Sequence, residues 1–269
     1  MPISTYWRRL GYVGLWLFIA FTVGLLVARN TYDVQGLVVV LLAACSLGYI
    51  VLRRAASKTE GFVFGIIVLG LLLKVAASFV RLYVATDLYG GVADAIGYDG
   101  RGRILAEQIR DLNFAALAPY MEWGTETMSL ATGVVYAIIG STFPGAYVVF
   151  GLFAFCGAYL YYQAFRTAFQ QASHKFYAIL VFLSPSLVFW PNGMSKDALI
   201  FFFMGIVAYG CARVLRKLDL VGAVVVVAGL LGTMSVRPHI AGILAIALAV
   251  AFGLRAVRRS ITNPLPNLA

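Results

Sequence analysis

Charged side chains are scarce in this sequence: only 12% of its 269 residues are charged, whereas 62% are hydrophobic. A soluble globular domain is about a quarter charged and about half apolar. The shortage of charge therefore excludes a soluble globular protein and predicts an integral membrane protein. We expect an all-α, polytopic membrane protein with about nine membrane helices, because about nine apolar runs occur along the chain. Several runs are short for a bilayer crossing, so we expect one or two segments to be tilted, broken or re-entrant.

Cysteine is almost absent, and Cys45, Cys156 and Cys211 lie within apolar runs without CxxC or Cys/His spacing. This pattern predicts packing residues, and neither a disulfide nor a cysteine metal site. The chain has a net charge of +10, but its Lys and Arg residues lie in short loops beside apolar runs. Cations in such places contact anionic lipid headgroups. We therefore expect membrane lipids, and not nucleic acid, as their partners.

Acidic residues are concentrated in one segment of the chain, residues 86–126. Seven of the eleven acidic residues occur there: Asp87, Asp94, Asp99, Glu107, Asp111, Glu122 and Glu126. A connection of this length without structure of its own is uncommon unless it is functional. An apolar stripe opposes its polar residues and predicts a helix lying at the membrane surface; the stripe consists of Ile104, Leu105, Ile109 and Leu112.

The sequence predicts one integral membrane domain over residues 1–269. Its parts are three helices in 1–85, an acidic extracytoplasmic loop at 86–126, further helices in 127–254 and a polar tail at 255–269. This orientation follows if the cations near residues 8 and 53 are cytoplasmic, but nine simple crossings then leave most loop cations outside. Two alternatives restore the usual bias: an odd number of crossings within 86–165, or a fully inverted chain.

Three polar clusters interrupt the apolar background. The first is Asp94-Ala-Ile-Gly-Tyr98-Asp99, the second "LSPSLVFWPNGMSKDAL" at 183–199, and the third "SVRPHIA" at 235–241. Ionisable groups and broken helices at membrane depth indicate function. The structural alternatives are a solvated Asp94, a helix start at Lys196-Asp197, and an interfacial anchor pair at Arg237 and His239.

Lys74 and Arg81 stand apart from these clusters, within the apolar run 61–85. They are seven residues apart and therefore lie on one face of a helix. We favour a structural role for them, in which they pair with acidic residues or extend toward the interface.

The stretch Asp-Ala-x-x-Tyr at 94–98, followed by an amphipathic helix and the apolar run from 134, resembles membrane glycosyltransferases of the GT-C type. These include the polyprenyl-phosphate-sugar-dependent enzymes related to protein mannosyltransferases and aminoarabinose transferases. "SPSLVFWPNGMSKDAL" and "VRPHIA" resemble uncharacterised bacterial membrane proteins associated with exopolysaccharide synthesis. The resemblance covers roughly residues 60–250. The chain is shorter than most such enzymes, which suggests a fragment or a reduced member.

The resemblance implies a multi-pass enzyme of the inner or cytoplasmic membrane that moves a sugar from a polyprenyl-phosphate-linked donor to a cell-envelope or exopolysaccharide acceptor. The acceptor would be a polysaccharide, a lipid or a protein. Asp94 would be the catalytic base or a metal ligand, with Asp99 as a second catalytic residue and partner in holding Mg²⁺ or Mn²⁺. The residues expected to bind substrate are Tyr98, Arg101, Lys196, Asp197, Arg237 and His239.

Two other functions remain open at this point. An exopolysaccharide or O-antigen polymerase or ligase would rely on Arg237 and His239 ahead of Asp94. A flippase or transporter for lipid-linked saccharides would use Lys74, Arg81 and Lys196 along a path for an anionic lipid, and predicts an inverted repeat. The acidic segment has no counterpart after residue 126, which argues against that repeat.

Overall fold

The architecture follows from the apolar composition, because helices satisfy their own backbone hydrogen bonds away from water. The computed structural model describes residues 34–56, 61–91, 93–217 and 219–262. It is all-helical, at 86% helix, and no strand occurs within these ranges. The predicted all-α class is confirmed. The predicted first helix at 10–28 and the cations Arg8, Arg9 and Lys58 lie outside the described residues.

The described residues form ten α-helices, numbered here in chain order. They are α1 Val34–Ala56, α2 Gly61–Tyr83, α3 Asp94–Arg110, α4 Thr125–Ile139, α5 Phe143–Ala168, α6 His174–Leu183, α7 Pro185–Phe189, α8 Lys196–Lys217, α9 Leu220–Val236 and α10 Pro238–Thr262. A π-helical turn, Val84–Leu88, extends α2, and a 3₁₀ turn, Phe114–Tyr120, precedes α4. Pro185 begins α7, because proline fits the first turn of a helix and not its interior.

Four helical stretches are long and apolar enough to cross a membrane: Gly61–Leu88, Phe143–Ala168, Lys196–Arg216 and Pro238–Arg255. Shorter apolar helices accompany them in the described parts of the chain. The length and composition of these helices are those of a membrane protein. A total of about nine membrane helices stays a prediction.

Helix α8 lies between α5 and α9 and packs closely on both. Glycines allow this approach, as in other membrane helix pairs. A methyl group on Gly205 would lie 2.7 Å from the carbonyl oxygen of Gly157 in α5, and one on Gly157 would lie 2.8 Å from that of Phe201. On the other side, a methyl group on Gly229 of α9 would lie 2.9 Å from the carbonyl oxygen of Phe203.

The helices bring distant polar clusters together at one end of the bundle. Arg81 at the end of α2, Lys196 at the start of α8 and Arg237 between α9 and α10 line one cavity. We call this the Asp94 end. At the opposite end, the last turns of α5 and α8 and Arg255 of α10 line another cavity. We call this the Arg216 end.

Helices α3 and α4 lie across the Asp94 end and do not run the length of the bundle. Helix α4 begins at the end of α9, where the Gly124 amide donates to the carbonyl of Ser235 at 2.7 Å. It finishes beside the first turn of α1, where a methyl group on Gly36 would lie 3.4 Å from the carbonyl oxygen of Ile139. Helix α5 then starts again at the Asp94 end, since Tyr147 in its second turn lines the cavity there.

The acidic segment contains a helix, α3, as the sequence pattern indicates, but its apolar stripe is divided. Leu105 is buried against α4, where a methyl group on Gly133 would lie 2.6 Å from its Cβ. Ile104 and Leu112 are exposed. The two helices share an apolar contact, so one side of the predicted surface stripe faces protein.

We predict that Gly205→Ala destabilises the protein, because the added methyl group would meet the backbone of α5, which has no soft side chain to move. Overpacking of this kind costs about 1–3 kcal/mol. The thermal unfolding temperature of the detergent-solubilised protein measures the effect.

The matched control is Gly65→Ala in α2, where the added methyl group meets nothing within 4 Å. This change gains the higher helix propensity of alanine, about 1 kcal/mol at most. Equal unfolding temperatures for Gly205→Ala and the parent protein would contradict the close packing of α5 and α8.

Candidate functional site

A cavity of about 320 Å³ opens at the Asp94 end, where residues from all three polar clusters meet. We call it the Asp94 cavity. The polar side chains that line it are Arg81, Tyr89, Asp94, Tyr98, Tyr147, Ser195, Lys196, Asp197 and Arg237. The structure therefore brings together five predicted site residues from the three clusters, namely Asp94, Tyr98, Lys196, Asp197 and Arg237. His239 is exposed and is not among the lining residues.

Asp94 is the first residue of α3, where the helix dipole favours a negative charge. Tyr98, one turn later, lines the same cavity. Burial and, to a smaller extent, the nearby Asp94 carboxylate together raise the pKa of Tyr98 to about 12, against a smaller opposing effect of Arg237. Tyr98 therefore remains protonated near neutral pH, next to the exposed Asp94 carboxylate.

Three cations, Arg81, Lys196 and Arg237, line the Asp94 cavity. The Lys196 ammonium donates to the Thr125 hydroxyl at 2.8 Å, which ties the start of α8 to α4. Arg237 lies 3.2 Å from the Asp197 carboxylate. Both contacts are solvent-accessible, and both cations line the cavity.

Arg81 is the residue of this site that the sequence prediction missed. Its guanidinium carbon lies 5.2 Å from the centre of the Phe189 ring and 5.7 Å from that of Trp190. Its Nε is buried and has no hydrogen-bond partner. A buried donor without a partner is unusual, and it makes Arg81 a candidate ligand-binding residue of the cavity. The available signal was its position, seven residues after Lys74 in an otherwise apolar helix.

The loop that carries Lys196 into the cavity is fixed by a buried lysine. Lys74 is 3% exposed, and its ammonium donates to the carbonyl oxygens of Leu187 at 2.5 Å and Pro191 at 3.1 Å. The last carbonyls of a helix lack partners within the helix and attract positive charge. Lys74 therefore caps the short helix α7. Its structural role is confirmed, whereas the prediction that it pairs with an acidic residue or extends to the interface is wrong.

Asn192 locks the same loop against α2. Its amide donates to the carbonyl of Lys74 at 2.8 Å, and its side-chain oxygen accepts from Ser78 at 3.2 Å and from the Gly193 amide at 3.0 Å. Gly193 has a φ of +68°, and a methyl group there would lie 2.6 Å from the Tyr147 ring. Only glycine fits this backbone and this contact.

Asp99 does not line the Asp94 cavity. It is five residues beyond Asp94, which corresponds to about 140° around a helix. Its carboxylate accepts hydrogen bonds from the Tyr136 hydroxyl and, at 2.9 Å, from Arg103 Nε. The Tyr136 contact joins α3 to α4, whereas Arg103 lies one turn further along α3 itself.

The structure does not bring the two carboxylates together as ligands of one Mg²⁺ or Mn²⁺ ion, because Asp94 lines the cavities, Asp99 does not, and Asp99 already accepts two hydrogen bonds. The described ranges contain no group of three or more His, Cys, Asp or Glu residues arranged to hold a metal ion. The divalent cation stays a prediction from the sequence.

Arg101 belongs to a smaller cavity beside the first. Its guanidinium donates to the Glu126 carboxylate at 2.6 Å. With Asp94, Tyr98, Gly97 and Thr125 it lines a space of about 180 Å³. Asp94 and Tyr98 line both spaces and therefore lie where the two meet.

No family model, curated protein or solved structure matches the chain. The residues that line the two cavities are therefore the basis for the proposed function.

We predict that Lys74→Met lowers stability by about 1–3 kcal/mol, because it leaves the buried carbonyls of α7 and its loop without donors. The measurement is thermal unfolding in detergent. Lys175→Met, at the exposed start of α6, is the matched control and should change little. A parent-like unfolding temperature for Lys74→Met would show that the capping contacts contribute nothing to stability.

Proposed function

We propose that this chain is a membrane glycosyltransferase that moves a sugar from a polyprenyl-phosphate-linked donor to an acceptor of the cell envelope. The resemblance to GT-C-type enzymes implies this activity. The observation that supports it best is the composition of the Asp94 cavity. An exposed carboxylate and three cations, Arg81, Lys196 and Arg237, line one space at the end of an apolar helix bundle.

The cations suit the phosphate of a lipid-linked donor. Guanidinium groups bind phosphate oxygens through paired, charge-assisted hydrogen bonds, and an ammonium group adds a point charge. Arg81 is held against two aromatic rings and still has a buried Nε without a partner. A donor phosphate would supply the missing acceptor.

Asp94 supports the transfer step itself. The acceptor's hydroxyl oxygen attacks the anomeric carbon, while its proton passes to the Asp94 carboxylate. The bond between that carbon and the phosphate oxygen breaks, and its electron pair stays on the phosphate. The three cations stabilise the charge that develops there. Tyr98 lies beside Asp94 where the two cavities meet and is placed to donate a hydrogen bond that orients the carboxylate.

We further propose that the Asp94 end faces the extracytoplasmic side of the cytoplasmic membrane. The two ends have similar numbers of described cations, but the acidic residues are concentrated at the Asp94 end, and Asp219 is the one described acidic residue at the Arg216 end. The excess of positive charge at the Arg216 end favours the cytoplasmic side, where anionic lipids concentrate; its described cations are Arg53, Arg166, Lys175, Arg213, Arg216 and Arg255. The arrangement is supported by α4, which starts and finishes at the Asp94 end. Region 86–165 then crosses once, through α5. In a total of about nine apolar segments, α4 would be the non-crossing one.

The rival functions have less support. A polymerase or ligase centred on Arg237 and His239 would need both at the cavity, and His239 is exposed outside it. A flippase would need Lys74 facing a path, and its ammonium is engaged with backbone carbonyls.

We predict that Asp94→Asn reduces sugar transfer about 10²–10⁴-fold, the usual effect of removing a general base. The substitution keeps the side-chain volume and removes the charge, so the protein level should hold. The assay follows label from a panel of polyprenyl-phosphate sugars into the acceptor fraction of membranes that contain the protein.

Asp87→Asn is the matched control, because Asp87 is exposed in the same acidic segment and does not line either cavity. It should leave transfer nearly unchanged. Near-normal transfer by Asp94→Asn at normal protein level would remove the central residue of the proposal. Failure of the parent protein to consume any donor in the panel would count against the reaction itself.

The proposed orientation predicts that a cysteine at Gly100 reacts with a membrane-impermeant thiol reagent added to intact cells. Gly100 is exposed on α3, and a side chain there meets nothing within 4 Å. A cysteine at Gln171, in the exposed loop at the Arg216 end, should react only after lysis. The reverse pattern would favour the inverted chain; the parent protein measures the background from its own cysteines.

A further inference from the structure

The Arg216 end contains a second, larger cavity of about 760 Å³ that the proposed reaction does not use. We call it the Arg216 cavity. Its walls come from the loop after α5 (167–172), the last turns of α8, and Arg255 of α10. Along α8, Lys196 and Arg216 are 20 residues apart, or about 30 Å. The two cavities are therefore separate sites.

The charge of the Arg216 cavity has one sign. Among the described residues that line it, Arg216 and Arg255 are the only ionisable ones. Arg255 donates to the carbonyl of Leu215 at 2.5 Å. With its amide oxygen toward Arg216, Gln170 accepts at 2.8 and 3.1 Å from the guanidinium. Both partners are neutral, so each arginine is held in place while its charge is not compensated.

Neighbouring Arg213 gives the contrast. It forms an ion pair with Asp219, and neither residue lines the cavity. A guanidinium has five N–H donors, so Arg216 and Arg255 keep several for a ligand. The charge and the spare donors select an anion.

The remaining walls are apolar. Phe169 and Leu215 are both exposed beside the arginines. Helix α10 packs chiefly on α9, and only 6% of its membrane-length stretch is buried. Its exposed residues run toward the cavity; they include Ile243, Ile246, Val250 and Leu254. Arg255 reaches across from α10 to the end of α8, where it donates to the Leu215 carbonyl.

We propose that the Arg216 cavity binds the phosphate headgroup of an anionic phospholipid, whose acyl chains cover the exposed apolar face of α10. Basic pockets between membrane helices bind such headgroups on the side where anionic lipids concentrate. The bound lipid fills the space between α8 and α10 and ties α10 to the bundle. The inference rests on the membrane helices and on the two arginines, and it is independent of the proposed reaction.

The test is native mass spectrometry of the purified protein with phosphatidylglycerol or phosphatidylcholine. The protein should retain phosphatidylglycerol preferentially. The double variant R216Q/R255Q should bind it about thirtyfold more weakly, because two surface cations are lost. The matched control, R53Q/K175Q, removes two cations at the same end that do not line the cavity, and should change affinity less than about threefold.

Equal retention of the two lipids, or equal losses in the two double variants, would overturn the proposal. Should R216Q/R255Q fail to fold, the parent protein decides the matter. A photoactivatable phosphatidylglycerol should then cross-link to residues 167–172 and 212–216, as mapped by peptide mass spectrometry. Cross-links spread evenly over the exposed helices would contradict a defined site.

Discussion

The contact of a buried lysine with the end of a broken helix organises the Asp94 end of this protein. An ammonium group inside an apolar bundle is costly unless its donors are satisfied. The carbonyls at the end of α7 are equally costly without partners. Lys74 satisfies both demands at once through Leu187 and Pro191. The loop that follows α7, with Lys196 at its far end, is fixed by this contact and by Asn192.

The close packing of α8 on its neighbours places the fixed loop beside the other residues of the Asp94 cavity. Glycines let α8 approach α5 and α9 at backbone distance, so the start of α8 lies beside the start of α5 and the end of α9. Lys196, Tyr147 and Arg237 consequently line one cavity. Helices α3 and α4 lie across this end and supply Asp94. Asp99 contributes differently, because it joins α3 to α4 through the Tyr136 hydroxyl.

The two ends of the bundle differ in electrostatic character, and this difference separates the two proposals. At the Asp94 end, three cations and two carboxylates line one cavity. This mixture suits the proposed reaction, in which a carboxylate accepts a proton and cations stabilise the negative charge on the leaving phosphate. At the Arg216 end, both charged residues in the cavity wall are arginines beside apolar surface, which suits a stationary anionic headgroup.

The sequence by itself determined the helical class, the membrane environment and the location of the polar clusters, because these depend on composition and on local pattern. It also indicated a helix in the acidic segment, within which α3 lies. The tertiary structure decided which residues meet. Arg81 lies at the Asp94 cavity, against the aromatic rings at the end of α7. Asp99 lies outside the cavity, because five residues of helix rotate it about 140° from Asp94. Lys74 found backbone partners more than a hundred residues away. The positions and partners of these side chains depend on contacts between segments far apart in the sequence, and local periodicity carries no information about such contacts.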